Sequence, residues 1–312
     1  MKPTQDPTLS SNSICVIGGD ARQYYLALSL ASRGFSVSAY GIPEQGSRED
    51  TATDRATKQY SLTENGITAH SQLKSALTGQ RTVILPFPLS PDGITLNCAA
   101  EEKPSLRDIF SAISEVCESG ARIFAGAVKE RSRDIAASFG IEFTDYGAME
   151  EIALENAVPT AEGALETAMK HMNVTVRGSR FAVIGYGRCG SELARLLKAM
   201  GAEVCGIARS GKDRAKMRND GVTAADFDQL TQAVNSSVIT FNTVPFNVFD
   251  CHTLSLLSTD TIIIELASAP GGVNRECAAQ YGVKVIHAPS LPGKYAPKTA
   301  AEILLRAIIP ML

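Results

Sequence analysis

None of the unbroken apolar runs in this 312-residue sequence, Ile262-Ile263-Ile264 among them, approaches the roughly 20 residues that a membrane-spanning helix needs. The opening segment MKPTQDPTLSSNS is polar and has no apolar h-region, so it does not read as a signal peptide. Both absences lead us to expect a cytoplasmic protein with no membrane partner. An excess of one charge is missing too. The net charge is −3, which leaves no dense Lys/Arg face and makes nucleic acid an unexpected partner. The seven cysteines stand singly, without a C-x-x-C pair, and are expected to be reduced thiols packed as small hydrophobes. His70, His171, His252 and His287 show no metal-ligand spacing, so no metal site is expected. There is also no Ser/His/Asp signature, no Cys/His pair at a known family spacing, no obvious His–carboxylate pair and no P-loop.

What is present is an ordinary globular composition, 44% hydrophobic and 20% charged, in a chain long enough for two cores. Strand and helix patterns alternate in two blocks, which predicts an α/β protein of two doubly wound Rossmann-like domains joined by a linking helix. In the first block, strands are expected at residues 14–17, 35–40, 83–85, 122–125 and 141–143. Leu106, Ile109, Phe110, Ile113 and Val116 keep helical spacing between them. Residues 41–78 are polar and weakly patterned, and we assign no element there. The linker Val158-Pro159-Thr160-Ala161-Glu162 offers Thr160 as an N-cap, and Leu165, Ala168, Met169 and Met172 form one apolar stripe. In the second block, strands are expected at 181–184, 203–207, 238–241, 261–265 and 283–286. Residues 1–152 plus a C-terminal helix over 296–312 form a Rossmann-like or flavodoxin-like substrate domain. Residues 153–295 form the nucleotide-binding domain, with the last helix returning to the first.

The strongest motif is Gly185-Tyr186-Gly187-Arg188-Cys189-Gly190, a G-x-G-x-x-G that follows an apolar strand and opens a helix. Such glycines permit a tight turn, a close pyrophosphate and close helix–strand packing, while the helix N-terminus offers unpaired N–H groups. Cys189 sits where that terminus favours a thiolate, although we expect it to serve packing. NAD-specific domains place an acidic residue at the end of the next strand. Here Ala208, Arg209, Ser210 and Lys212 carry no carboxylate; Arg209 can stack on adenine or pair with a 2′-phosphate, and Ser210 and Lys212 can add donors, which favours NADP. Asn242, Thr243, Val244 and Pro245, and then Glu265, Leu266 and Ala267, follow later strands and are expected to line the nicotinamide side. In the first block, Gly18-Gly19-Asp20-Ala21-Arg22 makes another strand-to-helix turn, with Arg22 available for a carboxylate. Lys294 and Lys298 are further candidates for a substrate carboxylate.

Several segments are not generic to such folds. IGGDAR at residues 17–22, NAVPTAEGA at 156–164, LASAPGG at 266–272 and APSLPGKYAPKTA at 288–300 resemble the A subunit of dipicolinate synthase. The resemblance covers essentially the whole chain. It implies an NADP-dependent oxidoreductase that completes dipicolinate synthesis from a dihydro- or hydroxytetrahydro-dipicolinate, a small dicarboxylate. It also implies a flavoprotein-like partner (the B subunit of dipicolinate synthase), a hetero-oligomer, and the mother cell of a spore-forming bacterium. An arginine often takes the Ala269 position in that family, so one cation is missing here. Arg22, Lys294 and Lys298 are then candidates for the substrate's charges, and Glu162 or Glu265 for its proton. Two other readings stay open. One is a non-catalytic NADP-binding scaffold; the other is a stand-alone dehydrogenase for another small acid.

Overall fold

Short strands that are apolar on both faces can be buried only in a parallel sheet covered by helices on each side. Ser13–Ile17 is buried at all five positions, and Arg180–Ile184 at four of five. Each forms the middle of one such sheet. The structure, a computed structural model, describes residues 12–43, 62–99 and 102–312. The opening segment read above lies almost wholly outside the described residues, as does much of the weakly patterned stretch.

The chain divides into two compact units, Met1–Ala153 with Pro297–Leu312, and Leu154–Ala296. In the first unit the strands are β1 Ser13–Ile17, β2 Ser36–Tyr40, β3 Thr68–His70, β4 Thr82–Ile84, β5 Arg122–Ala125 and β6 Thr144–Asp145. The helices are α1 Ala21–Ser32, α2 Leu73–Leu77, α3 Leu106–Val116 and α4 Glu130–Ala137, with α5 Glu150–Glu155 at the boundary. The sheet runs β3-β2-β1-β4-β5-β6 with every pair parallel. This is the Rossmann order, so the flavodoxin-like alternative is withdrawn. The strand expected at 141–143 lies further on, at β6, because Ile141 is used instead to pack under α4 and β5.

The second unit contains α6 Ala157–His171, β7 Arg180–Ile184, α7 Arg188–Ala199, β8 Glu203–Ile207, α8 Gly211–Asn219, β9 Thr223–Ala225 and α9 Leu230–Asn235. It continues with β10 Ile239–Asn242, α10 Cys251–Ser255, β11 Ile262–Glu265, α11 Arg275–Gln280, β12 Lys284–His287 and α12 Leu291–Tyr295. Its parallel sheet has the order β12-β11-β10-β7-β8-β9. The closing helix, α13 Pro297–Ile308, packs on α1 in the first unit.

Helix starts follow from local chemistry. Asp20 caps α1 and exchanges a reciprocal bond with Gln23; Ser105 does the same for α3 with Asp108. The buried face of α3, Leu106, Ile109, Phe110 and Ile113, contributes about 1.5–3 kcal/mol per large side chain. Three expectations need correction. Thr160 is not the N-cap of α6, since the helix already begins at Ala157 and the Thr160 hydroxyl donates to the Asn156 carbonyl, 2.6 Å away. Met169 does not belong to the buried stripe but is 54% exposed, because Ala161, Ala164, Leu165 and Ala168 make that face. Not all cysteines are free thiols: Cys251 in α10 and Cys277 in α11 form a disulfide. Both helices start from adjoining loops, so residues 26 apart in sequence come together.

Candidate nucleotide site

The turn between β7 and α7 shows what each glycine is for. Gly185 has φ +87°, and a Cβ there would press on the Thr243 hydroxyl and stand 2.8 Å from a Val244 methyl. A Cβ on Gly190 would strike the Gly185 carbonyl. Gly187 differs: its φ of −77° suits any residue, and an added Cβ would meet nothing within 4 Å. Neither backbone angle nor packing requires glycine there. Its missing side chain leaves open space above the first turn of α7, as a pyrophosphate needs. The turn fits a dinucleotide.

Around this turn, Arg188 is exposed while Tyr186 faces inward. The Tyr186 hydroxyl donates to Asp220 over 2.7 Å, and its ring lies in the core, so only its backbone borders the turn. Cys189 is half-buried. Burial pushes its thiol pKa up, outweighs the opposing effects of Thr160 and Arg188, and so disfavours the thiolate. Thr243 donates to the Ile184 carbonyl over 2.7 Å and straps β10 to the turn.

At the carboxyl end of β8, Arg209 and Ser210 are exposed, followed by exposed Lys212. The Ser210 hydroxyl accepts the Asp213 N–H as the cap of α8. Arg214 donates to the carbonyls of Ala208 and Arg209, at 2.7 and 2.8 Å, and braces this corner. The Arg209 guanidinium lies 4.1 Å from the centroid of Phe246, beyond Pro245. Sequence spacing marks neither Arg214 nor Phe246. The only hint is an aromatic residue just past a strand end.

Glu265, at the end of β11, is almost fully buried and accepts three N–H donors. They are Asn242 Nδ2 at 2.9 Å, Ala267 N at 3.1 Å and Gly272 N at 2.9 Å. Its carboxylate organises the loop over 266–272 rather than facing solvent. A Cβ at Gly272 would press on Asn242 Nδ2 and stand 2.7 Å from the Val244 carbonyl oxygen. Asn242 is wholly buried and is spent on the same network. The β11–β12 register places His287 beside Glu265, an adjacency that sequence spacing does not reveal. The carboxylate nevertheless turns to the Asn242 amide and to the N–H groups of Ala267 and Gly272.

The remaining candidates fall apart by environment. Arg22 is buried, not available: Nε and Nη2 grip Asp20, Nη2 also donates to the Phe87 carbonyl, and the guanidinium lies 5.1 Å from the Phe87 centroid. Folding brings Phe87 across from β4 to take the place expected for a ligand. Glu162, Lys294 and Lys298 are exposed. Gly163, next to Glu162, lets α12 approach α6: a Cβ there would stand 3.1 Å from those of Leu291 and Tyr295. The PTAEG and LPGKY segments are therefore packing partners. Among the described residues, no group of three or more His, Cys, Asp or Glu could hold a metal, and no helix is long and apolar enough to span a membrane.

Residues 152–276 match the family model for the NAD-binding domain of D-isomer specific 2-hydroxyacid dehydrogenases. Residues 13–147 match the model for the N-terminal domain of the dipicolinate synthase A subunit. Among curated proteins, the dipicolinate synthase A subunit of Bacillus subtilis is 30% identical over 304 residues, 97% of each chain. Among solved structures, the A subunit from Bacillus halodurans is similar at a TM-score of 0.80 and 25% identity, covering 97% of this chain and 98% of that one. The corresponding chain from Bacillus subtilis follows at 0.77 and 28%, covering 97% and 96%. A D-lactate dehydrogenase from Escherichia coli shares the fold at 0.61 and 14%, covering 96% of each. Fold, glycine turn and NAD-binding domain define a dehydrogenase-like oxidoreductase chain that uses a nicotinamide cofactor. Within that class, the chain belongs to the dipicolinate synthase A subunit family.

Proposed function

We propose that this chain is the NADP-using subunit of a dipicolinate synthase. With a flavoprotein-like B subunit, it oxidises a dihydrodipicolinate, or a hydroxytetrahydro-dipicolinate that first loses water, to pyridine-2,6-dicarboxylate in the mother cell of a spore-forming bacterium. The observation that carries this reading is the open space at Gly187, in a chain matched over 97% of its length by a dipicolinate synthase A subunit.

The α7 N-terminus, with Gly185, Gly187, Arg188, Cys189 and Gly190, binds the pyrophosphate through backbone N–H groups. Arg209, Ser210 and Lys212 take the 2′-phosphate, because no carboxylate at the end of β8 repels it. When bound, the nicotinamide supplies the hydride acceptor. Backbone at Thr243, Val244 and Pro245, and at Leu266 and Ala267 on the Glu265 scaffold, borders that end. Aromatisation supplies the driving force, so the protein's task is alignment and charge. Lys294 and Lys298 are the cations for the substrate carboxylates, with Arg22 bracing the Gly18-Gly19 turn. Glu162 is the proton acceptor, since Glu265 already serves three N–H groups.

The test is direct. The chain is mixed with the B subunit, NADP and freshly prepared dihydrodipicolinate, and the ultraviolet absorbance of the pyridine product should rise. Absence of product with either nicotinamide cofactor would overturn the reading.

A further inference from the structure

Phe246 is the only aromatic residue among the exposed large hydrophobic side chains of the described residues, at 39% exposure. Leaving a phenyl ring in water costs hydrophobic free energy, and its backbone is not loose. Asn242 Nδ2 donates to the Val244 carbonyl, and Val244 N donates back to Asn242 Oδ1. Gly272 sits beneath the Val244 and Phe246 carbonyls, and its own carbonyl accepts the Val248 N–H at 2.9 Å. The ring is held out on a rigid loop.

Its neighbour is equally well placed. Arg209 projects from a corner braced by Arg214, and its guanidinium lies at stacking distance, 4.1 Å, from the Phe246 centroid. Topology adds the third observation. The strand order β10-β7-β8 puts the Phe246 loop on one side of β7 and Arg209 on the other. The pair thus bridges the carboxyl end of the strand that opens into the glycine turn. A 4.1 Å gap admits no base between them, because a purine stacked on both sides needs about 7 Å, two van der Waals contacts.

We propose that Phe246 is the platform on which the adenine of the nucleotide stacks, and that Arg209 and adenine compete for its face. As the base arrives, the guanidinium leaves the ring and becomes free to pair with a 2′-phosphate. A nucleotide with that phosphate recovers the lost cation–π contact as an ion pair; one without it does not. The inference rests on the nicotinamide-nucleotide reading above and assigns its adenine subsite.

Calorimetric titration with AMP, and with adenosine bisphosphate carrying a 2′-phosphate, tests it without any turnover. Phe246→Ala should weaken AMP roughly tenfold, the loss expected for one stacked base, while Phe246→Tyr should bind like the parent. Arg209→Ala should bind AMP at least as tightly as the parent, because the platform is uncovered, yet lose its preference for the 2′-phosphate. Unchanged AMP affinity in Phe246→Ala overturns the platform. Arg209→Ala weakening AMP as Phe246→Ala does overturns the competition. If the parent chain binds neither ligand while its thermal melt is cooperative, the nucleotide reading itself fails, which is a distinguishable result.

Discussion

Glu265 and Arg22 are both charged residues removed from water, and each is tolerated because neighbouring groups meet its hydrogen-bonding needs. Replacing Glu265 with Gln puts an amide donor opposite three N–H groups, so one buried donor is left unmatched. We expect a loss of about 1–3 kcal/mol in urea unfolding and a looser loop over 266–272. Arg209→Asp should move cofactor preference from NADP toward NAD, measured as the ratio of dissociation constants; equal NADP affinity in parent and variant would show that Arg209 does not read the phosphate. His287 supplies a pH prediction. Burial, reinforced by the charge of Arg275, holds its pKa below the ordinary 6.5. The folded chain therefore binds fewer protons than the unfolded one as pH falls through that value, and stability is lost there. His287→Gln should flatten the loss of melting temperature below about pH 6.5. At this scale the sequence points to the right neighbourhoods but not to side-chain commitments. The glycine turn and Arg209 are legible in it, whereas the Arg22–Phe87 and Glu265–Asn242 contacts join residues from different strand ends.

Elements reveal how helices and loops depend on distant partners. The α13 helix buries Ile303, Leu304, Leu305 and Ile308, and Glu302 accepts from Ser29 and Arg33 of α1 and its cap. Leu304→Ala should cost about 2–5 kcal/mol in denaturant unfolding, whereas a value below about 1 kcal/mol would mean the helix packs elsewhere. The Cys251–Cys277 disulfide closes a loop across α10 and α11. Chain entropy for a loop of this size gives about 3.5 kcal/mol, so reductant should lower the stability of the parent but not of Cys251→Ser. Strand and helix positions are largely legible from periodicity: β5 and β8 fall at the expected residues. Misses occur where local pattern is weak. The short β3 and β9 have three residues each, and Thr160 sits inside a helix whose start is set by packing on α7 and α12.

For the whole molecule, two separate cores imply that a nucleotide stabilises only the unit it binds. With NADP at about 100 times its dissociation constant, the second unit should gain about 2.7 kcal/mol. In scanning calorimetry one component of the transition should move up and the other stay. Equal movement of both would show that the units unfold as one.

Taken by itself, the sequence determined the class of fold and the place of the dinucleotide turn, and the motifs at 17–22, 156–164, 266–272 and 288–300 carried the resemblance to the family, because apolar patterns, glycine spacing and short motifs are local properties of the chain. Only the tertiary structure decided that Gly187 leaves room for a ligand and that Phe246 faces Arg209. It also showed that Arg22 and Glu265 are already engaged, and that two of seven cysteines are joined. Each of these depends on which strand ends a parallel sheet sets side by side, and that order is written in no single stretch of residues.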